Sequence, residues 1–214
     1  MKEIVVYGAG GYGREICCLI NKINKYNPHW KFCGFLDDNE KLWGTDTPYG
    51  KILGGLDWLN TRTEPIDVVL AIANSTILKK IVGNVANEMV DFPNLIDPEV
   101  SFLDEDTFKI GKGNIIGYGC RFSCNVKLGD FNILVNASVF GHDVSVGNYN
   151  LFFPEVRLSG MVSVGDSNFF GMRSAVIQGF EVGSNTRIAA GSFVMRNTKD
   201  GFLYSGNPAK IMRL

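Results

Sequence analysis

One repeat constrains the second half of this 214-residue chain: an aliphatic residue or Phe recurs at every sixth position from Ile110 to Val194. Neither an α-helix, with its period of 3.6, nor a half-buried strand, with its period of 2, keeps a period of six over such a length. A hexapeptide β-helix does, because each six-residue rung points one apolar side chain into a narrow prism and then turns a corner. The positions are Ile110, Ile116, Phe122, Leu128, Leu134, Phe140, Val146, Phe152, Leu158, Val164, Phe170, Val176, Val182, Ile188 and Val194.

Small or amide side chains occupy most of the positions four residues after each apolar one. Small inward side chains permit tight corners, and stacked Asn side chains can hydrogen-bond from rung to rung. Because three rungs close one triangular coil, residues 18 apart are expected to stack. These positions include Asn114, Cys120, Asn132, Ser138, Asn150, Asn168, Ser174, Thr186 and Ser192.

A different pattern precedes the repeat, in which short apolar strands alternate with amphipathic helices. This βαβαβ order predicts a small Rossmann-like parallel sheet, with its ligand crevice at the carboxyl ends of the strands. The expected strands are 4–7, 32–36 and 67–73, and the expected helices run from 14 to about 25 and from about 76 to 88. The fold class is therefore an α/β domain at residues 1–97 followed by an all-β parallel β-helix at residues 98–214.

The segment Gly8 to Gly13 is a G-x-G-x-x-G match between the first strand and the first helix. Its glycines permit a tight turn and let the helix N-terminus face a phosphate. Asp37 or Asp38, at the end of the second strand, could accept hydrogen bonds from a ribose or a base. Only about 95 residues precede the repeat, enough for one mononucleotide-binding half rather than the two that a nicotinamide cofactor spans. A single nucleotide diphosphate is favoured; the alternative is a turn that needs glycine for packing and holds no ligand.

The repeat resembles the hexapeptide-repeat acyltransferases, whose prism is a left-handed parallel β-helix. The segment 206–210 (Gly-Asn-Pro-Ala-Lys) is similar to the tail by which many of these enzymes end beside coenzyme A. Both halves together resemble the PglD- and NeuD-like sugar acyltransferases, which join a small Rossmann-like domain to such a prism. The matching motifs are Gly8–Gly13, Gly34–Asp38, Ala71–Asn74 and Gly141–Asp143.

The resemblance implies a nucleotide-sugar-binding first domain and a second domain that holds acetyl-CoA, in a homotrimer with active sites between subunits. It implies substrate contacts at Gly10, Gly11, Tyr12, Gly13, Asp37, Asp38, Ala73, Asn74 and Asn136. It implies acetyl-CoA contacts at Gly160, Met172, Ala190, Pro208 and Lys210, with the Gly160 N–H facing the acetyl carbonyl. Relatives often carry a second histidine nine residues after the one that corresponds to His142, and this chain has Leu151 there. They also often carry an Asn seven residues before that first histidine, where this chain has Val135 beside Asn136.

The resemblance makes His142 the candidate general base, and the adjacent Asp143 could orient that base or contact the sugar. The only other histidine, His29, lies in a turn-like loop and is expected to be a surface or packing residue. An imidazole, with an ordinary pKa of ~6.5, can take the proton that an amine must lose before it attacks a thioester. Because successive strand residues point to opposite faces, Asp143 can help His142 only if the chain turns there or if the partner is in another subunit. Asp143 could equally be a solvated turn residue.

Composition argues against several other functions. A net charge of −1 and a pI near 6.1 give no basic footprint for nucleic acid. No apolar run reaches the ~20 residues of a membrane span. The five cysteines form no C-x-x-C pair and are typical of a reduced cytoplasmic setting; Cys17, Cys18 and Cys33 are expected in the core. A zinc enzyme on this fold would want three histidines per site, so no metal is expected in a chain with two.

The sequence therefore predicts a cytoplasmic acetyl-CoA-dependent N-acetyltransferase. The resemblance points to the amine of a nucleotide-linked amino sugar, often a 4-amino-4,6-dideoxyhexose, in the biosynthesis of a surface glycan such as lipopolysaccharide O-antigen. Sugar O-acetylation of the sialic-acid type and a non-catalytic nucleotide-sugar scaffold are the alternatives. The sequence does not distinguish UDP, dTDP and GDP.

Overall fold

A parallel sheet with helices forms the first of two units, Met1–Pro98; the second begins at Glu99. The computed structural model describes residues 1–212. In the first unit the elements are β1 (Lys2–Tyr7), α1 (Gly11–Tyr26), β2 (Trp30–Leu36), a 3-10 helix (Glu40–Leu42), β3 (Asp46–Thr47), β4 (Gly50–Gly54), α2 (Leu56–Asn60), β5 (Ile66–Leu70), α3 (Ser75–Asn84), β6 (Val90–Asp91) and β7 (Leu95–Ile96).

The sheet of this unit has the order β3-β4-β2-β1-β5-β6, and β1 pairs in parallel with both β2 and β5. A central parallel strand is covered on both faces, which explains why Ile4 to Tyr7 are all buried. Helix α1 packs with Ile16, Cys17 and Ile20, whereas Cys18 is exposed. The expectation that Cys18 lies in the core is therefore wrong, because it falls outside the buried stripe of the helix.

The predicted α/β order is confirmed, with shifted boundaries. The third predicted strand ends at Leu70 rather than residue 73, and the last predicted helix ends at Asn84 rather than residue 88. Gly83 and Asn84 are weak helix formers, and the N–H of Val85 bonds to the Ile81 carbonyl to close the helix.

The second unit is a stack of two-residue strands. They are β8 (Ser101–Phe102), β9 (Lys109–Ile110), β10 (Ile115–Ile116), β11 (Arg121–Phe122), β12 (Lys127–Leu128), β13 (Ile133–Leu134), β14 (Val139–Phe140), β15 (Ser145–Val146), β16 (Leu151–Phe152), β17 (Arg157–Leu158), β18 (Ser163–Val164), β19 (Phe169–Phe170), β20 (Ala175–Val176), β21 (Glu181–Val182), β22 (Arg187–Ile188), β23 (Phe193–Val194), β24 (Leu203–Gly206) and β25 (Ala209–Ile211).

Three faces arise because strands one coil apart pair in parallel. The faces run from β8 to β23, from β9 to β21 and from β10 to β24, and β25 pairs antiparallel with β24. The pairs Phe122↔Phe140 and Phe140↔Leu158 join residues 18 apart, which confirms three rungs per coil. The unit is a left-handed parallel β-helix.

Its core is the predicted column of apolar side chains. All the repeat positions from Ile116 to Val194 are buried, and only Ile110 at one end is half-buried. Each such burial contributes about 1.5–3 kcal/mol. The rings of Phe122 and Phe140 stack at 5.0 Å, and those of Phe152 and Phe170 at 4.6 Å. The aromatic stacking fixes the register between coils as well as filling the prism.

A buried ladder of asparagines runs beside this core. The side-chain oxygen of Asn114 accepts the Asn132 N–H at 2.9 Å, and the Asn132 and Asn150 oxygens accept the next N–H groups up, each at 2.9 Å. The Nδ2 groups of Asn132 and Asn150 also donate to the Asn below, at 3.1 and 3.0 Å. The predicted hydrogen bonding between rungs is confirmed.

Every corner turns through the same backbone conformation. The residue three positions after each inward side chain has a positive φ, from 52° at Ala137 to 77° at Gly179, in every rung from Gly113 to Gly191. This left-handed region costs most residues about 1–2 kcal/mol, but Asn and Asp adopt it more readily. Asn125 and Asp143 occupy two of these positions, with φ of 58° and 59°.

Across residues 1–212, none of the helices combines the length and the apolar character needed to span a lipid bilayer.

Candidate active site

His142 lies at a corner between β14 and β15, two residues after the buried Phe140. Its side chain is about half exposed, at 50%. His29, by contrast, is an exposed loop residue whose ring meets Trp30 edge-on at 4.7 Å, as expected for a packing residue. Only His142 therefore has a corner position on the prism.

Asp143 holds the imidazole of His142. Its positive φ turns the chain at the corner, so the two neighbouring side chains meet instead of pointing to opposite faces. The Nδ1 of His142 lies 2.8 Å from Oδ2 of Asp143. Because a carboxylate only accepts hydrogen bonds, Nδ1 carries the hydrogen and Nε2 is left with the free lone pair. The predicted condition that the chain turns at Asp143 is therefore met, and the contact with His142 needs no second subunit.

Asn125 completes this corner and was not foreseen from the sequence. Its Nδ2 donates to the other Asp143 oxygen, Oδ1, at 3.1 Å from one coil away. The pKa of Asp143 is lowered, first by the hydrogen bond from His142 and then by that from Asn125. The 18-residue spacing between Asn125 and Asp143 was the signal that could have revealed this residue.

Gly160 lies one coil beyond His142, directly against its ring. A Cβ at Gly160 would overlap the imidazole at Nε2, so only glycine leaves room for the ring in this position. The Gly160 carbonyl accepts the Gly179 N–H at 3.0 Å, whereas the Gly160 N–H has no hydrogen-bond partner among residues 1–212. An imidazole lone pair and an unused backbone donor thus lie next to one another.

Asn136, Met172 and Ala190 lie on a different corner of the same prism. Each follows, by two residues, an inward side chain of the face that runs from β10 to β24. Met172 is 48% exposed, Ala190 is exposed and Asn136 is half-buried. One six-residue rung separates neighbouring corners, a path of up to ~20 Å. Within one chain, these three residues therefore occupy a corner other than that of His142.

The tail residues Pro208 and Lys210 lie at a hairpin that ends the prism. Strand β25 pairs antiparallel with β24, and Lys210 is opposite Ser205. Both Pro208 and Lys210 are exposed. The Gly206 N–H donates to Ser192 Oγ at 3.1 Å, which ties the hairpin to the last coil.

In the first unit, the glycines of the segment 8–13 have two separate roles. A Cβ on Gly13 would overlap the Gly8 carbonyl oxygen, so this buried glycine permits the close packing of α1 against β1. Gly10 and Gly11 are exposed, and a Cβ on Gly10 would meet nothing. Gly10 caps α1 without a side-chain hydrogen bond, beside the half-buried Tyr12. The packing interpretation holds for Gly13, while Gly10 and Gly11 leave the helix N-terminus accessible.

Asp37 is hydrogen-bonded to the glycine-rich segment 8–13. Its Oδ2 accepts the Ala9 N–H at 3.0 Å, and its Oδ1 accepts the Asn39 N–H at 2.9 Å. Asp38 accepts a hydrogen bond from the Tyr7 hydroxyl. Burial, followed by that bond to Asp38, raises the pKa of Tyr7. Both carboxylates thus have protein partners at the carboxyl ends of β1 and β2.

Asn74 is the N-cap of α3, and its side-chain oxygen accepts the Ile77 N–H at 3.1 Å. Such a cap stabilises a helix by about 1 kcal/mol. Ala73 beside it is exposed. Among the described residues, no group of three or more His, Cys, Asp or Glu side chains is placed to hold a metal ion.

Residues 3–85 match the model of the PglD N-terminal domain. Among solved structures, the acetyltransferase domain of PglB from Neisseria gonorrhoeae, in complex with acetyl coenzyme A, is 26% identical, with a TM-score of 0.88 and 99% of each chain covered. The first domain is therefore of the PglD type, and the whole chain is similar to nucleotide-sugar acetyltransferases of the hexapeptide-repeat kind.

Two further solved structures have the same architecture from end to end. WeeI from Acinetobacter baumannii is 26% identical, with a TM-score of 0.87 and coverage of 99% of this chain and 100% of that one. Perosamine N-acetyltransferase from Caulobacter crescentus, in complex with CoA and GDP-perosamine, is 22% identical, with a TM-score of 0.87 and coverage of 100% and 98%; at that identity it supports the fold alone. No curated protein matches the chain at a significant level.

Proposed function

We propose that the chain transfers an acetyl group from acetyl-CoA to the amine of a nucleotide-linked amino sugar, in the cytoplasm and for a surface glycan such as the O-antigen of lipopolysaccharide. The observation that carries the proposal is the corner at which Asp143 holds His142 Nδ1 and Gly160 lies against Nε2. The PglB domain, at 26% identity, binds acetyl coenzyme A. The perosamine enzyme accommodates CoA and GDP-perosamine on the same fold. A 4-amino-4,6-dideoxyhexose fits the proposal best.

In the proposed reaction the neutral amine attacks the thioester carbonyl directly. The new C–N bond forms, the amine proton passes to Nε2 of His142, and the C–S bond then breaks to release the CoA thiolate, which takes up that proton. Asp143 stabilises the imidazolium formed in between and keeps Nε2 unprotonated at the start. No acyl-enzyme is required.

Gly160 supplies the oxyanion donor in this proposal. Its N–H has no protein partner among residues 1–212 and lies beside the imidazole, where the carbonyl carbon must be placed. A preorganised donor of this kind contributes about 10²- to 10³-fold to acyl transfer.

The first unit binds the nucleotide in this proposal. The exposed N-terminus of α1 at Gly10 and Gly11 offers backbone N–H groups to the diphosphate, and the helix dipole favours its negative charge. Tyr12, Asp38 and Ala73 are proposed to contact the sugar or the base. Since Gly13, Asp37 and Asn74 already have packing or backbone partners, we assign them to shaping the loops, with any ligand contact added to that role.

A second copy of the chain is needed to complete the acetyl-CoA site. Met172 and Ala190 share a corner with Asn136, while His142 and Gly160 occupy another corner. A cyclic homotrimer places the His142 corner of one protomer against the Met172 corner of its neighbour. The pantetheine would lie along Met172 and Ala190, and the adenine end near Pro208 and Lys210.

Mixed trimers test this assignment. Neither the His142→Ala variant nor the Met172→Arg variant should acetylate the sugar alone. Refolding or co-expressing the two together restores an intact His142 corner opposite an intact Met172 corner in roughly a quarter of the sites. Mixtures as inactive as their parents would contradict a shared site.

The activity itself is tested by thiol release from acetyl-CoA with UDP-, dTDP- and GDP-linked amino sugars. We expect turnover with one amino sugar and a fall in kcat of about 10²- to 10⁴-fold in His142→Ala, the usual contribution of a general base. His29→Ala is the control and should keep full activity. Acetylation of sugar hydroxyls instead of amines would establish the O-acetyltransferase, and no turnover with either class of acceptor would favour the nucleotide-sugar scaffold.

A further inference from the structure

Asn125 lies outside the residues that the reaction requires, yet it is hydrogen-bonded to them. It is one coil below Asp143, in the same corner column and in the same left-handed conformation. Its amide Nδ2 donates to Oδ1 of Asp143, while Oδ2 of Asp143 faces Nδ1 of His142. Each carboxylate oxygen of Asp143 therefore has its own partner: the Asn125 amide one coil below for Oδ1, and the neighbouring His142 ring for Oδ2.

The backbone of Asn125 is itself anchored one coil further down. Its N–H donates to Thr107 Oγ1 at 2.9 Å. The column thus forms a continuous chain of hydrogen bonds from Thr107 through Asn125 and Asp143 to the His142 ring. The chain ends at the next coil, where Met161 occupies the same corner position and offers no polar side chain.

We infer that Asn125 is a positioning residue, which sets the orientation of the Asp143 carboxylate and, through it, the tautomer and direction of His142. An exposed Asp has rotamer freedom and could turn Oδ2 away from the ring. With Oδ1 held by the Asn125 amide, only the arrangement that presents Oδ2 to Nδ1 satisfies both partners. The role of this residue in catalysis rests on the proposed function; its effect on the side chains does not.

The decisive measurement is the imidazole ¹⁵N and Asp carboxyl ¹³C spectrum of the full-length protein across pH. The chain has two histidines, so the ring signals of His142 are separated from those of His29 by a single His29→Ala background. In the wild type we expect the Nδ1–H tautomer and an Asp143 carboxyl that titrates below its ordinary pKa, because His142 and Asn125 both donate to it.

Two substitutions change the amide without changing the backbone. Asn125→Gly removes the donor at a position whose φ glycine adopts freely. Asn125→Asp replaces the donor with a like charge and keeps a residue that tolerates the left-handed region. We expect the Asp143 pKa to rise from wild type to Asn125→Gly and further to Asn125→Asp, with a mixture of His142 tautomers in both variants.

Asn185→Gly is the matched control, because Asn185 is exposed and has the same conformation, with φ of 54°, on another corner of the prism. In the acetylation assay Asn125→Gly should lower kcat about tenfold with KM unchanged, a fraction of the whole general-base effect, and Asn185→Gly should leave both constants as they are.

If Asn125→Gly leaves the Asp143 titration and the His142 tautomer identical to those of Asn185→Gly, the positioning role is wrong. If the spectra change as expected but no variant, including the wild type, transfers acetyl groups, the positioning role stands and the proposed function fails.

Discussion

Two columns of polar side chains run along the prism, one inside it and one outside, and in both columns neighbouring residues are 18 positions apart. The inner column, Asn114 to Asn168, is buried, and its oxygens accept backbone N–H groups from the next coil. The outer column links Asn125 to Asp143 and the half-exposed His142. The residue types and the spacing are nearly the same, so the environment decides the role. Inside, the amides satisfy backbone groups that water cannot reach; outside, the Asn125 amide is proposed to orient Asp143 and, through it, His142.

The largest effect on stability is expected in the inner column. Asn150→Ala removes the acceptor of the Asn168 N–H and the donor to Asn132 Oδ1, both buried. The Asn168 N–H loses its acceptor, whereas Asn132 Oδ1 still accepts the backbone N–H of residue 150. Leaving one buried group unpaired costs about 1–3 kcal/mol, so we expect the free energy of unfolding to fall by about 2 kcal/mol. Denaturant unfolding followed by circular dichroism measures this loss. Asn125→Gly is the comparison and should change the free energy by less than about 1 kcal/mol; equal losses in the two variants would remove the distinction between the columns.

The next effect is expected at the end of the outer column, where glycine makes room for the base. Gly160→Ala places a methyl group where the His142 ring lies, so the ring must swing towards solvent. We expect kcat to fall about 100-fold, since both the proton acceptor and the oxyanion donor are displaced, while the unfolding midpoint stays close to that of the wild type. Gly83→Ala, at a helical glycine with open space around it, is the control. An active Gly160→Ala enzyme would show that the ring does not work from this position.

A smaller effect is expected from the charge of Asp143. Asp143→Asn keeps an acceptor for the Nδ1 hydrogen but removes the negative charge that stabilises the imidazolium, so kcat should fall about tenfold. The exposed Glu105 provides the control, as Glu105→Gln. Steady-state kinetics at a fixed pH near neutrality distinguishes the two variants, and equal rates would show that Asp143 acts through geometry alone.

The pH dependence of the same group has a defined sign. Because the folded-state pKa of Asp143 is lowered from its ordinary 3.8, any stability from its hydrogen bonds is present above that value and is lost only as the pH falls through the lower folded pKa. Activity should therefore not show the titration of Asp143 between pH values of about 5 and 8. A carboxyl titration in that window, assigned to Asp143 by its absence in Asp143→Asn, would contradict the two hydrogen bonds.

The sequence predicted the prism well because one rule operates at every rung. Each inward position has only to be apolar and of suitable size, so Phe140 and Val176 both indicate a buried position inside the prism. Positions four residues later, such as Asn132, have only to fit a corner and pair with the coil below. The boundaries of the first unit were less predictable, because strand β4 begins and ends with a glycine, Gly50 and Gly54, and the short hairpin with β3 carries no alternation.

The candidate site was predictable only in part. His142 and Gly160 follow from the repeat and the resemblance, since both occupy the same corner one coil apart. The hydrogen bond from Asp143 depends on the backbone angle at that corner, which periodicity does not reveal. Asn125 was overlooked because its contact is with Asp143 rather than with any expected ligand. In the first unit, sequence alone does not separate Gly13, which is needed for packing, from Gly10, which is open to solvent.

The recurring left-handed residue at each corner has a consequence for how such a scaffold can change. Since that conformation is imposed by the rung and is already tolerated by Asp, Asn, Tyr and Arg, a carboxylate can be introduced there at any level without redirecting the main chain. An acid–base pair could thus be moved along the prism in steps of one coil, by exchanging side chains alone. Enzymes built on this architecture can change the distance between their reactive centre and the ends of the prism without inserting or deleting a residue.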